Sequence, residues 1–195
     1  MKVWFLIISF LFCHTLFAMN GTIIRFKGTV LLDGAPILSN QVVKVGQILE
    51  AVGEKSYCQV RFSGGTSFLV RNGKVRLEEF SSKASVLSLI KGTIFNAVNK
   101  NSQREFRIVT DKASMAVRGT TFYVENTEEQ TYLCVCEGEV EFNTEKNKSL
   151  AVRRGEDIWY KKGATAQVTP VKSDMWKAAK EGFSLMGIDI GKLNP

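Results

Sequence analysis

Histidine is almost missing from this sequence. Its 195 residues include one, His14, in a stretch that reads as a removable leader. A chain that sheds it hosts no Ser-His-Asp triad, no Cys-His pair and no His-ligated zinc, which excludes most familiar hydrolase chemistry. Proline is scarce as well, at three residues, while 45% of side chains are hydrophobic and 23% charged. That balance argues against disorder and for one globular domain with at most a small appendage. No Gly-rich phosphate loop opening a helix is present.

Residues 1–18 read as a secretory signal peptide. Lys2 supplies the positive start, Val3 to Phe12 is apolar apart from Ser9, and Ala18 is a small residue suited to cleavage before Met19. Cys13 does not mark a lipoprotein, because the bulky Phe12 precedes it. The alternative is an uncleaved membrane anchor: Val3 to Met19 has the shortest length that spans a bilayer, and Cys13, His14 and Thr15 interrupt it. Either reading places the working part outside the inner membrane, periplasmic or secreted.

Without Lys2 the chain holds 25 basic and 19 acidic side chains. The basic residues are scattered, with no run longer than pairs such as Arg153–Arg154 and Lys161–Lys162. A solvated basic surface accounts for this. Contact with anionic envelope polymers is the sharper reading, and nucleic acid is not an expected partner of an exported chain. Between Gly119 and Glu145 there is no Lys or Arg, yet Glu125, Glu128, Glu129, Glu137, Glu139, Glu141 and Glu145 occur. If they group in space, the protein is electrostatically two-sided.

From about 21 to 168 the sequence reads as short strands between glycine turns. Gly65, Gly92 and Gly119 recur every 27 residues, a spacing that predicts a stacked or rolled, solenoid-like β sandwich, all-β in class. Alternation puts Val60 with Phe62, Phe106 with Ile108, Phe122 with Val124, Leu133 with Val135, and Val140 with Phe142 on inward faces. Arg61, Arg107, Tyr123, Glu139 and Glu141 fall on the opposite faces. About 177 residues bury roughly 70% of the unfolded surface, so no disulfide is required.

The tail changes character. Ser173 is a candidate N-cap with Asp174 in the first turn, and Trp176, Ala179, Phe183 and Met186 share a helical stripe. Gly182 weakens this short helix by about 1 kcal/mol relative to alanine, and Gly187 ends it. The helix either plugs the open end of the β stack or docks a partner through Trp176 and Phe183.

Three cysteines remain past the leader. Cys58 shares parity with Val60 and reads as a core thiol, whereas Cys134 and Cys136 have the opposite parity to Leu133 and Val135 and are expected on the more exposed face. Two apart on one strand, they lie roughly 7 Å apart at Cα, at the limit for a bridge. Free thiols, a Cys58 bridge to one of them and an intermolecular link all stay open. A soft-metal site from Cys134 and Cys136 with Glu137 or Glu139 would have an incomplete shell, so no metal and no cofactor is expected. Glu137, Glu139 and Glu141 could in principle hydrolyse glycosides, but three outward glutamates on a strand read first as a solvated face.

Several segments together resemble a known family. Phe106–Arg107–Ile108–Val109–Thr110, Val117–Arg118–Gly119–Thr120–Thr121–Phe122 and Leu133–Cys134–Val135–Cys136–Glu137–Gly138–Glu139–Val140 look like the signature of the FecR domain. Val45–Gly46, Ser56 to Gly65, Leu87 to Phe95 and Val152 to Gly155 carry the same rhythm, so the resemblance spans about 25 to 160. It implies a non-catalytic β domain of the cell envelope that recognises a protein partner in signalling or scaffolding. The best-known members relay the state of an outer-membrane iron transporter to a sigma factor through a cytoplasmic segment. The sequence is expected to lack that segment and so to be a free-standing member. The division expected is a leader over 1–18, a FecR-like β domain over 19–168 and a helical tail over 169–195. A surface or structural role, binding glycan or anionic envelope polymer, is the alternative. Within the signature, Gly119 and Gly138 suit positive-φ turns. Arg118 either braces the turn or, with Trp176 and Phe183, contacts the partner.

Overall fold

A computed structural model describes residues 20–81, 83–146 and 149–192; the leader and its cleavage site lie outside the described residues. Among the described residues, fourteen strands and one helix build an all-β fold with a C-terminal helix. Four strands are long: β1 (Gly21–Leu32), β4 (Ile48–Phe62), β5 (Ser67–Phe80) and β6 (Ala84–Ala97). They pair antiparallel in the order β6-β5-β4-β1, and the short β2 (Ala35–Pro36) and β3 (Val42–Val43) pair with the two ends of β1.

The sheet forks at β6. Its first half, Ala84–Ser88, pairs in parallel with β7 (Glu105–Val109), which leads through β8 (Ser114–Val117) and β11 (Glu139–Asn143) to β12 (Leu150–Arg153). Its second half, Gly92–Ala97, pairs antiparallel with β9 (Thr121–Asn126). That branch continues through β10 (Gln130–Glu137) and β13 (Glu156–Lys161) to β14 (Val168–Pro170). The two branches form two layers with the main core between them. Phe106 of β7 meets Phe122 of β9 at 6.4 Å, and Phe142 of β11 meets Tyr160 of β13 at 5.9 Å.

A line of bulges lets one set of strands serve both layers. The register slips between Lys27 and Thr29 in β1, between Ala51 and Tyr57 in β4, between Arg71 and Lys74 in β5, and beside Lys91 in β6. Gly28, Gly53, Gly73 and Gly92 lie along this crease. A bulge adds a residue to one strand and bends it, and it also reverses which side chains face inward. In β6, Leu87 and Leu89 enter the core before the crease, and Ile94 enters it afterwards. The 27-residue glycine spacing is therefore not a repeating rung. Gly92 lies on the crease, Gly65 in the β4–β5 turn, and Gly119 where the chain changes layers.

The inward residues assigned by alternation all lie in the main core: Val60, Phe62, Phe106, Ile108, Phe122, Val124, Leu133, Val135, Val140 and Phe142. The far end of the sandwich is closed by a buried polar network. Lys112 Nζ donates to Asp111 Oδ1 at 2.8 Å and to the Thr127 carbonyl at 2.8 Å. Asn126 Nδ2 donates to the Leu89 and Ile90 carbonyls at 3.1 and 3.0 Å, and its Oδ1 accepts from Thr131 at 2.9 Å. Bulged carbonyls that the ladder leaves unpaired are satisfied this way.

The helix α1 (Ser173–Leu185) does not plug an end. It lies across the outer face of the β9–β10 branch, where Trp176, Ala179, Phe183 and Met186 cover Leu69, Phe95, Tyr123, Tyr132, Cys134 and Cys136. This makes a second, smaller core. Ser173 is the first helical residue rather than the cap; Lys172 holds the cap position in extended conformation with no side-chain cap bond. Gly187 ends the helix as expected. With φ +75°, it donates to the Ser184 carbonyl while Ile188 donates to Phe183, which satisfies the last carbonyls. Arg25 of β1 donates to the Leu185 carbonyl, placing a cation at the negative end of the helix.

Candidate functional site

The residues that carry the family resemblance meet at one end of the sandwich. There the chain crosses between layers at Arg118–Thr120, at Gly138 and at Arg154–Gly155. Thr120 Oγ1 donates to the Glu139 carbonyl at 2.9 Å, and Arg154 N to the Gly138 carbonyl at 3.2 Å. Gly155 N donates to Val135 O at 2.9 Å, and Val98 N to Thr120 O at 3.0 Å, which brings in the β6–β7 loop. Gly119 (φ +61°) and Gly138 (φ +85°) both adopt the left-handed conformation. A Cβ on Gly119 would also fall 2.8 Å from the Lys100 Cα. The signature is thus a seam at which three crossings are stitched by short hydrogen bonds.

The side chains around this seam are mostly committed. Lys100 pairs with Glu137 at 2.7 Å, Arg153 with Glu139 at 3.0 Å, and Arg107 with Glu105. Glu141 accepts from Ser149 Oγ at 2.9 Å and Asn143 Nδ2 at 3.3 Å, and these bonds hold its carboxyl below the ordinary value. Farther off, Lys161 reaches Glu129 at 4.0 Å and Lys162 reaches Glu145 at 3.8 Å. Four of the seven glutamates of the 119–145 segment, Glu129, Glu137, Glu139 and Glu145, are thus paired with cations from elsewhere in the chain.

Arg118 is the exception. It is exposed, and its guanidinium makes no hydrogen bond or ion pair among the described residues. It lines an open hollow of about 310 Å³ with Glu105, Ala116, Val117, Glu139 and Glu141. Trp176 and Phe183 are elsewhere. They are 4% and 0% exposed beneath the helix, with Phe183 edge-on to Phe95 at 5.4 Å, so the structure does not join them to Arg118. The solvent side of the helix presents Lys177, Lys180 and Glu181 instead.

A second feature at the same end escaped sequence reasoning. Beside the seam, a cleft of about 420 Å³ is lined by Phe62, Ser63, Gly64, Thr66, Ser85, Val98, Asn99, Asn101, Ser102, Gln103, Arg104, Glu105 and Phe106. It shares Glu105 with the Arg118 hollow. Asn99 is fixed by donating to the Gly64 carbonyl at 2.5 Å and accepting from Asn101 N at 2.9 Å. The dense Asn99–Lys100–Asn101–Ser102–Gln103–Arg104 run was the available signal, and it resembles any polar loop.

The cysteines correct another expectation. Cys134 and Cys136 do lie opposite Leu133 and Val135, but that face is covered by α1, and both are fully buried, as is Cys58. All three are free thiols. Burial pushes the Cys58 thiol from 9.0 up to about 12; the hydrogen bond with Cys134, then burial, pushes Cys136 up. Tyr123 and Tyr132 are raised too, chiefly by burial. Among the described residues, no group of three His, Cys, Asp or Glu side chains is placed to hold a metal ion.

Two outcomes follow. In the folded chain these thiols are expected to resist alkylation and to react once urea unfolds it. A raised thiol pKa means the folded state keeps a proton that the unfolded state releases. Stability should therefore be full below pH 9 and fall as pH rises from 9 towards 12. Rapid native-state labelling, or a flat stability profile over that range, would contradict the buried placement.

Residues 49–141 match the family described as FecR protein. Among the solved structures similar to it are two, each described as a proposed anti-sigma factor from Parabacteroides distasonis. One superposes with a TM-score of 0.58 at 19% identity, covering 67% of this chain and 63% of that one. The other has a TM-score of 0.48 at 15% identity, covering 82% and 63%. This chain thus spans under two thirds of the length of either. No curated protein is similar to it in sequence.

Proposed function

We propose, from the premise that the chain carries a FecR domain over residues 49–141, that it is a non-catalytic recognition module of the cell envelope, acting in signalling or as a scaffold. The partner is a protein docked on the Arg118 hollow. The observation that carries this reading is the uncommitted Arg118 guanidinium in a hollow next to Lys100, Arg107 and Arg153, each of which is already paired. Arginine is favoured at protein interfaces because its rigid fork forms several directed bonds at once. A polyanion needs rows of uncommitted cations, and at this seam Lys100, Arg107 and Arg153 are already held by Glu137, Glu105 and Glu139. Such a docked contact also tolerates salt better than dispersed charge attraction does. Among the described residues no helix is long and apolar enough to cross a membrane. The envelope location rests on the leader-like residues 1–18.

The test is capture from native envelope extract on the immobilised full-length chain, washed at low and then high salt. A distinct envelope protein should survive the high-salt wash, and Arg118→Glu should weaken its retention about tenfold, roughly 1.4 kcal/mol. Capture that vanishes with salt, or that is indifferent to Arg118→Glu, overturns this reading.

A further inference from the structure

The cleft between the β4–β5 turn and the β6–β7 loop has a built interior that the Arg118 hollow lacks. Ser85 is at its base. On β6 this residue has the same parity as Leu87 and Leu89, so its hydroxyl occupies a core-facing position at the mouth of the sandwich. The residue is 5% exposed, lines the cleft and has no side-chain hydrogen-bond partner among the described residues. That hydroxyl is open to the cleft and free to bond a group that enters it. Around it, Asn101, Gln103 and Arg104 line the rim, and none of these three side chains is engaged by another described residue. Phe62 and Phe106 form the apolar floor, 6.5 Å apart.

We propose that this cleft binds a saccharide unit bearing a single carboxylate. The volume, about 420 Å³, lies within the range of roughly 300–1,000 Å³ typical of small-molecule sites. Hydroxyl and amide groups dominate the lining, which suits a polyhydroxylated ligand and disfavours a lipid. One free guanidinium matches one negative charge. A phosphate-rich ligand would need further cations, and the nearby Lys100 and Arg107 are held by Glu137 and Glu105. Peptide addition to a strand is also disfavoured, since the bordering segments of β6 and β7 are already paired with each other. The apolar floor accommodates the C–H face of a pyranose ring while the rim groups meet its hydroxyls. The two sites share only Glu105, and neither Ser85 nor Arg104 lines the Arg118 hollow, so either reading can fail alone.

The probe pair is cellobiouronic acid and its neutral parent cellobiose, which differ by one carboxylate. Each is titrated into the full-length chain and followed by amide chemical-shift changes. At about 10 mM the acid should approach saturation with a Kd near 1 mM, shifting amides at Ser63–Thr66 and Asn99–Glu105 and binding about tenfold tighter than cellobiose. Arg104→Gln should abolish the difference between the two sugars, and Ser85→Val should weaken both. Asn101→Ala, on the exposed rim, provides a second variant that leaves the core untouched and should weaken both as well. Equal binding of the two sugars, shifts confined to another surface, no shift at all, or an acid preference that survives Arg104→Gln would each overturn the assignment.

Discussion

Gly92→Ala is expected to abolish the folded state under conditions where the parent chain is fully folded. Gly92 holds φ +85° at the point where β6 passes from one layer to the other. An added Cβ would come 2.1 Å from the Asn72 carbonyl oxygen and 2.4 Å from the Gly73 Cα. Both are backbone atoms of β5, so no rotamer change relieves the overlap. The left-handed conformation alone costs about 1–2 kcal/mol with a Cβ present. Separating β5 from β6 at the crease would cost several more, within a total stability of roughly 5–15 kcal/mol. Gly34→Ala supplies the comparison, because Gly34 has φ +83° and nothing within 4 Å of its Cβ position. It should lose about 1 kcal/mol only. Urea unfolding followed by circular dichroism measures both, and equal stabilities would refute the account of the crease.

The second large effect is at Gly182, where two considerations predict opposite signs. Helix propensity predicts that Gly182→Ala gains about 1 kcal/mol. The structure places an added Cβ 2.0 Å from Cε1 and 2.1 Å from Cζ of Phe95. Phe95 cannot easily turn away, since it stacks on Tyr123 at 5.3 Å, meets Phe183 edge-on at 5.4 Å and lies under the Arg71 guanidinium at 5.4 Å. Overpacking of this kind costs about 1–3 kcal/mol. A net loss near 2 kcal/mol is therefore expected, with a larger one for Gly182→Val. As the helix lifts, Cys134 and Cys136 should become accessible to alkylation while Cys58, in the main core, stays protected. Phe95→Ala should relieve the clash, so the two substitutions together should cost less than their sum. A stabilised Gly182→Ala chain would mean the helix does not sit this close to the sheet.

These two glycines show where sequence reasoning stops. At Gly182 the helix stripe and its end were readable, because a 3.6-residue period and a Gly after the last apolar position are local properties. The close approach of Phe95, 87 residues earlier, was not. The expected weakness of a glycine in a helix is the condition for docking. At Gly92 the sequence shows a turn-former in a 27-residue series, yet its function depends on Asn72 and Gly73 across the ladder. The cleft was missed for a similar reason. Ser85 becomes informative only once Leu87 and Leu89 are known to face the core and the 98–104 loop is known to border the same cleft.

Local chemistry decided which residues form strands, which side of each strand is apolar, which glycines accept positive φ and where the last helix begins and ends within one residue. These properties depend on neighbours one to four positions away, so they are legible along the chain without knowing what it folds against. The sequence also identifies the segments that resemble the FecR domain. What covers the second face of β9 and β10 is set by long-range packing. Parity divides a strand into two sides but does not say whether either meets water, which is why Cys134, Cys136 and Tyr123 are buried where exposure was expected. The same limit applies to charge. Lys100, Arg153, Lys161 and Lys162 lie outside the acidic segment in sequence but beside its glutamates in space, because the seam folds separated strands into contact. Electrostatic energy depends on distance through space, and only the fold sets that distance.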